Sequence, residues 1–136
     1  MSAYLVDTGP LVAVLDKDDA AHDECSHILS RLTAPLITSW PVITEASYLL
    51  AYSHVAQDGL LEMLQCGGVA VASLGLDDVP YLRSLMKKYR DTPMDLADAT
   101  LVRLAEKERL SRVFTLDADF QVYRIGRSTR FTILPS

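Results

Sequence analysis

Cysteine is scarce in this chain. Only Cys25 and Cys66 occur, far apart and in no CxxC pair, which argues against a disulfide framework or a structural zinc site. Positive charge is also short. Lys and Arg number 13 against 18 Asp and Glu, for a net charge of −5. A protein that holds nucleic acid by charge alone is basic. Either nucleic acid is not the ligand, or bound cations reverse the local field; composition does not choose between them. No apolar run approaches the ~20 residues of a membrane-spanning helix. The start, Met1 to Asp7, lacks a basic stretch and meets a charge too early for a signal peptide. The expectation is a cytoplasmic protein with no membrane association. Internal repeats, low-complexity tracts and linkers are absent too.

What is present is a chain of 136 residues, 49% of them hydrophobic. That is the length of one ordinary domain with a real core, so residues 1–136 are expected to form a single domain. Its pattern alternates strands and helices. Strands are expected at 3–7, 36–38, 69–72, 112–115 and 131–134. Thr8-Gly9-Pro10 breaks the first strand; helices are expected after it to about Leu15, from Asp18 or Asp19 to about Leu32, at about 41–53, 57–65 and 76–90, and from Met94 to Arg109. Strands separated by helices imply βα units: an α/β fold with a mostly parallel central sheet between two helical layers. His22, Cys25 and His27 could be read as metal ligands. The better reading places Ala21, Cys25, Ile28, Leu29 and Leu32 on an ordinary apolar helix stripe.

The acids are more informative. Ligands of open α/β sheets gather beyond the carboxyl ends of the strands. Asp7 closes the first strand, Glu45 lies early in the helix after the second, and Asp117 follows the fourth. Asp95 and Asp98 open the helix that leads into that fourth strand. At about 100° per residue, Asp98 falls on the flank of the stripe formed by Ala97, Leu101, Leu104 and Ala105. An inward carboxylate is costly unless it is paired or binds a metal. Each acid has a plainer reading: Asp7 or Asp95 as a helix cap, Glu45 as a first-turn charge, Asp117 as a turn residue. Independent caps, however, need not share one edge. No Lys or Arg adjoins Asp7, Glu45 or Asp98 in sequence. Clustered acids without partners repel, and a hard cation such as Mg²⁺ relieves that repulsion.

Four motifs carry a resemblance. Asp7 in Leu-Val-Asp-Thr-Gly, Glu45 in Thr-Glu-Ala, Asp98 in Ala-Asp-Ala-Thr-Leu-Val and Asp117 in Thr-Leu-Asp-Ala-Asp-Phe resemble, in order and spacing, the acidic positions of PIN-domain nucleases. The length is similar to that of the VapC-like toxin branch. The resemblance implies a Rossmann-like sheet, Mg²⁺- or Mn²⁺-dependent endoribonuclease activity on RNA, frequent homodimers and a small cognate antitoxin. It makes Asp7, Glu45, Asp98 and Asp117 the catalytic, metal-centred acids, with Thr8 and Thr115 as hydroxyl neighbours. By the same resemblance, water attacks phosphorus in line, leaving a 5′-phosphate and a 3′-hydroxyl, and no histidine need act. Two departures stand out. Asp95 is an extra acid that replaces or assists Asp98, and Asp119 competes with Asp117, which ranks higher because it directly follows the strand.

Arg124, Arg127 and Arg130 cluster after Asp117 and are candidates for gripping substrate phosphates, which positions a strand without reading its sequence. Arg83, Lys87 and Arg90 form a similar row that reads better as a solvated face. Tyr48 and Tyr52 lie on a different side of their helix from Ile43 and Leu50, which suggests a homodimer through these helices. A haloacid-dehalogenase-type phosphatase would need a second Asp where Gly9 stands, and a receiver domain would need a strand-end Lys that is missing. The alternative is a non-catalytic PIN-like module that binds RNA or protein, and the complete set of acids argues against it.

Overall fold

The computed structural model describes residues 2–136. The chain begins with β1 (Tyr4–Val6), whose Leu5 and Val6 are buried. Asp7 ends the strand in an extended conformation and caps α1 (Thr8–Leu15), accepting from the Thr8 N–H. Pro10 lies in the first turn of α1, where a missing N–H costs nothing. After α2 (His22–Arg31) come β2 (Leu36–Thr38), α3 (Trp40–Leu49), α4 (His54–Gln65) and β3 (Ala70–Val71). A 3₁₀ turn at Leu76–Asp78 leads into α5 (Val79–Lys88). Then follow α6 (Leu96–Lys107), β4 (Arg112–Phe114), a second 3₁₀ turn at Ala118–Gln121, a hairpin of β5 (Arg124–Ile125) with β6 (Thr129–Arg130), and β7 (Thr132–Leu134).

Several boundaries depart from the sequence reading, each for a local reason. α2 starts at His22 rather than Asp18 because Asp16 and Asp19 accept hydrogen bonds from the backbone N–H groups of Asp18 and Ala21. Such Asx turns compete with helix. α3 stops at Leu49, and α4 starts at His54 rather than Gln57, because the Ser53 hydroxyl accepts from the Ala56 N–H as an N-cap. The expected 76–90 helix is a 3₁₀ turn followed by α5. α6 starts at Leu96 because Asp95 caps it. The β5–β6 hairpin and the turn at 118–121 were not expected at all.

The main sheet has the order β3-β2-β1-β4-β7, and every pairing in it is parallel. The chain runs outward from β1 through β2 to β3, then returns to the other side of β1 with β4. The strand order therefore reverses between β1 and β4. That is where an open parallel sheet leaves a crevice at its carboxyl edge. The register places Val6 beside Phe114, and the Asp7 N–H donates to the Phe114 carbonyl at 2.9 Å. Asp7 and the Thr115–Asp117 segment therefore leave adjacent strands side by side.

α6 begins at this crevice. Every residue from Ala97 to Val102 is buried, so its apolar positions surround the helix instead of forming one stripe. Leu101 and Leu104 pack into the same core as Leu5, Val113 and Phe114. Truncating a leucine so placed costs roughly 2–5 kcal/mol. Asp78 fastens α6 to α5. Its buried carboxylate takes the Gly75 N–H, Arg103 Nε at 2.9 Å and Lys107 Nζ at 3.1 Å. Those bonds hold the carboxyl down to about 2. With its far end fixed, α6 presents its N-terminus to the carboxyl edge of the sheet.

Candidate active site

Three elements bring three carboxylates together. Asp7 comes from the end of β1, Asp117 from the segment after β4, and Asp98 from the first turn of α6. One oxygen from each lies within 4.8 Å of the others. Asp7 and Asp98 are buried, at 6% and 7% exposure, while Asp117 is half-buried.

Each carboxylate is held. Asp7 Oδ1 accepts from the Thr8 N–H at 2.8 Å and Oδ2 from the Thr115 hydroxyl at 2.7 Å. The same Thr115 oxygen accepts the Asp117 N–H at 3.0 Å, so one side chain ties both strand ends together. Asp117 Oδ1 accepts from the Asp119 N–H at 2.9 Å. Asp98 Oδ2 accepts from the Tyr123 hydroxyl at 3.0 Å. Asp7 and Asp98 also stand at helix N-termini, where the macrodipole favours negative charge.

These bonds do not make the cluster comfortable. Burial pushes the Asp7 carboxyl up to about 6. Thr115 and Thr8 oppose that rise, and the charges of Asp117 and Glu45 add to it. Burial likewise pushes Asp98 up to about 7, reinforced by Asp95 and Asp7, against the Tyr123 hydrogen bond. The cleft above them, about 360 Å³, is lined by Asp7, Asp19, Glu45, Asp95, Asp98 and Asp117, and no Lys, Arg or His borders it among the described residues. An oxygen-only donor set with surplus negative charge suits a hard divalent cation, Mg²⁺ or Mn²⁺.

The other candidate residues take distinct places. Glu45 lies on the rim, half-buried, and its Oε1 accepts the Thr8 hydroxyl. It borders the cleft but stands outside the three-oxygen group. Asp95 caps α6 through the Asp98 N–H and lines the same cleft. Asp119 also stands outside the group. Burial, then the charge of Asp117, raises its carboxyl. The arginines sit elsewhere. Arg124 donates to the carbonyls of Gln121, Val122 and Tyr123. Arg127 and Arg130 are exposed on the hairpin, whose turn at Gly126 lies against Glu106, near the far end of α6. None of the three borders the cleft.

Two residues at the site are not among those the sequence points to. Asp19 lines the cleft, and its only sequence signal was that of a turn or cap. Tyr123 reaches Asp98 from beyond the second 3₁₀ turn. The spacing Phe120 to Tyr123 marks an apolar turn, but nothing in it points to Asp98.

Comparisons with known proteins agree with this geometry. The PIN domain family model matches residues 4–126. Ribonuclease VapC26 of Mycobacterium tuberculosis is 30% identical over 135 residues, covering 96% of this chain and 99% of its own length. Among solved structures, VapC20 of Mycobacterium tuberculosis, described as a Sarcin-Ricin loop cleaving toxin, superimposes with a TM-score of 0.81 at 21% identity, covering 89% of this chain and 94% of that one. VapBC2 from Rickettsia felis, bound to a DNA fragment from its promoter, matches with a TM-score of 0.63 at 14% identity, over 96% of this chain and 98% of that one.

Proposed function

Because this chain belongs to the PIN-domain family, we propose that it is a Mg²⁺- or Mn²⁺-dependent endoribonuclease, a single domain acting as the toxin of a toxin–antitoxin pair. The observation that carries this reading is the convergence of the Asp7, Asp98 and Asp117 carboxylates at the reversal point of the sheet. Its likeness over nearly the full length to a protein named as a ribonuclease supports RNA as the substrate.

Asp7, Asp98 and Asp117 would hold the cation, with Glu45 at the rim of the same cleft. Bound there, a divalent cation would polarise a phosphodiester and make water a better nucleophile at neutral pH. The chain's own part is preorganisation. Thr115 and the Thr8 N–H fix both oxygens of Asp7, and the Thr8 hydroxyl aims Glu45. Asp7 and Asp98, raised by burial and crowding, release protons as the cation binds, so affinity strengthens as pH rises. Tyr48, Tyr52 and Val55, at 78%, 68% and 82% exposure on α3, α4 and the turn between them, supply apolar surface for a second copy of the chain. Exposed apolar surface of this kind favours association.

The test is cleavage of RNA by the wild type, Asp7→Asn and Asp98→Asn, with Mn²⁺ and with chelator. The wild type cleaves only with metal, and both folded variants are inactive. Equal cleavage in all three proteins, or cleavage that survives chelation, would refute the proposal.

A further inference from the structure

Asp98 differs from its neighbours in how it is held. Asp7 is held by a backbone N–H and a threonine one strand away, and Asp117 by a backbone N–H two residues on. Asp98 accepts from a tyrosine that lies 25 residues further along the chain. That tyrosine is among the most completely buried side chains of the protein. Its ring meets Tyr89 and Phe120 edge to face, each at 5.1 Å between centroids, and Phe120 meets Phe131 in the same way at 5.4 Å. Tyr89 is fixed in turn, its hydroxyl accepting the Arg124 N–H at 3.0 Å. The Tyr123 hydroxyl thus reaches Asp98 from a ring with no freedom to swing. Edge-to-face contacts of this kind set orientation as well as burying area.

We propose that Tyr123 is a positioning residue for the metal centre: its hydroxyl fixes the rotation of the Asp98 carboxylate and so preorganises that ligand for the cation. This rests on the metal-dependent reading given above. A carboxylate on the first turn of a helix can rotate about its last bond. A single directed hydrogen bond to Oδ2 removes that freedom and leaves the remaining lone pairs for the cation. Hydrogen-bond partners behind a ligating carboxylate typically control metal affinity by roughly 10–100-fold. A merely structural role, in which Asp98 serves only to satisfy a buried hydroxyl, predicts something different: removing the hydroxyl would leave metal affinity alone.

The experiment is Tyr123→Phe, which keeps the ring and its packing. Mn²⁺ affinity is read by electron paramagnetic resonance, alongside RNA cleavage as a function of Mn²⁺ and the melting temperature of the metal-free protein. The variant should bind Mn²⁺ roughly 10–100-fold more weakly. Its half-maximal Mn²⁺ for cleavage should rise in parallel, saturating Mn²⁺ should restore most of the rate, and metal-free melting should stay within a few degrees of the wild type. Adding Tyr123→Phe to Asp98→Asn should weaken Mn²⁺ binding no further. Unchanged Mn²⁺ affinity in Tyr123→Phe, beside a wild type that binds and cleaves, overturns the role of Tyr123 alone. A wild type that neither binds Mn²⁺ nor cleaves overturns the metal reading and this inference with it. Should the variant fail to fold, Mg²⁺ titration of the wild type with labelled tyrosine decides. The ring-carbon resonance bearing the Tyr123 hydroxyl moves with the midpoint of the activity if the proposal holds, and its staying still refutes it.

Discussion

Asp98→Asn should make the metal-free protein more stable while abolishing cleavage. Burial and the charges of Asp95 and Asp7 lift the Asp98 carboxyl from 3.8 to about 7. A carboxyl raised in the folded state binds its proton more tightly there than in the unfolded chain. Its contribution to stability is therefore fully present below pH ~4 and is lost as pH rises through about 7. At 1.36 kcal/mol per tenfold change in proton affinity, the gap from 3.8 to about 7 corresponds to about 4 kcal/mol of destabilisation at pH 8. Coupling to Asp7, whose carboxyl burial also raises, spreads the cost over two groups and relieves part of that. A gain of about 2 kcal/mol at pH 8 is therefore expected when the charge is removed. Asparagine keeps an oxygen to accept from Tyr123. For a chain of this length, about 3 °C of melting temperature accompanies each kcal/mol, so Asp98→Asn should melt roughly 6 °C higher at pH 8. The advantage should fall by more than half at pH 5 and vanish near pH 4, where the wild type is already protonated. Thermal melts with chelator at those pH values check it. Equal or lower stability at pH 8, or a gain that does not depend on pH, would show that the cluster is not electrostatically strained.

Divalent metal should stabilise the wild type more at pH 8 than at pH 5, because binding competes with the protons on Asp7 and Asp98. At a hundredfold excess over Kd the gain is about 2.7 kcal/mol, read as a rise in melting temperature that chelator reverses; no rise at pH 8 would contradict the fit of the site. Asp117→Asn should lower Mn²⁺ affinity and cleavage far more than Asp119→Asn, since only Asp117 shares the three-oxygen group. The reverse order, measured by titration and initial rates, would transfer the role to Asp119. Asp78→Ala should cost about 2 kcal/mol of stability by removing the bonds to Arg103, Lys107 and the Gly75 N–H. Cleavage per folded molecule should change little, so a selective loss of activity in well-folded protein would show that α6 placement is more delicate than its packing suggests.

The layers of the fold were legible because they rest on periodicity. β1, β2, β4 and β7 are short apolar runs, and a parallel sheet with helical crossovers follows from their alternation with helices. The order β3-β2-β1-β4-β7 does not follow from that pattern, and it is the order that sets Asp7 beside Asp117. The hairpin at 124–130 leaves no trace in the sequence because its strands are two residues each, too short to show an alternating pattern. The gap between α3 and α4 is expected at 54–56 but lies at 50–53, because Tyr52 continues an apolar run into a break that the Ser53 hydroxyl fixes.

The acids show why motif and cap readings could not be separated from sequence. Asp7 caps α1, Asp95 caps α6 and Asp117 caps the turn that follows it, so the plain reading of each is correct. It does not compete with the functional one. A capping carboxylate accepts a backbone N–H at one oxygen and is thereby oriented, with lone pairs left for a ligand. For Asp7 and Asp117 the local structure that makes them caps is also what aims them into the cleft. Asp98 sits within the first turn of its helix, behind the cap that Asp95 makes, and has no such cap of its own. Its alignment must come from elsewhere in the chain, and it comes from Tyr123. A residue whose orientation depends on a tertiary contact leaves no local signature, so the acid most recognisable from the sequence has the support least recognisable from it.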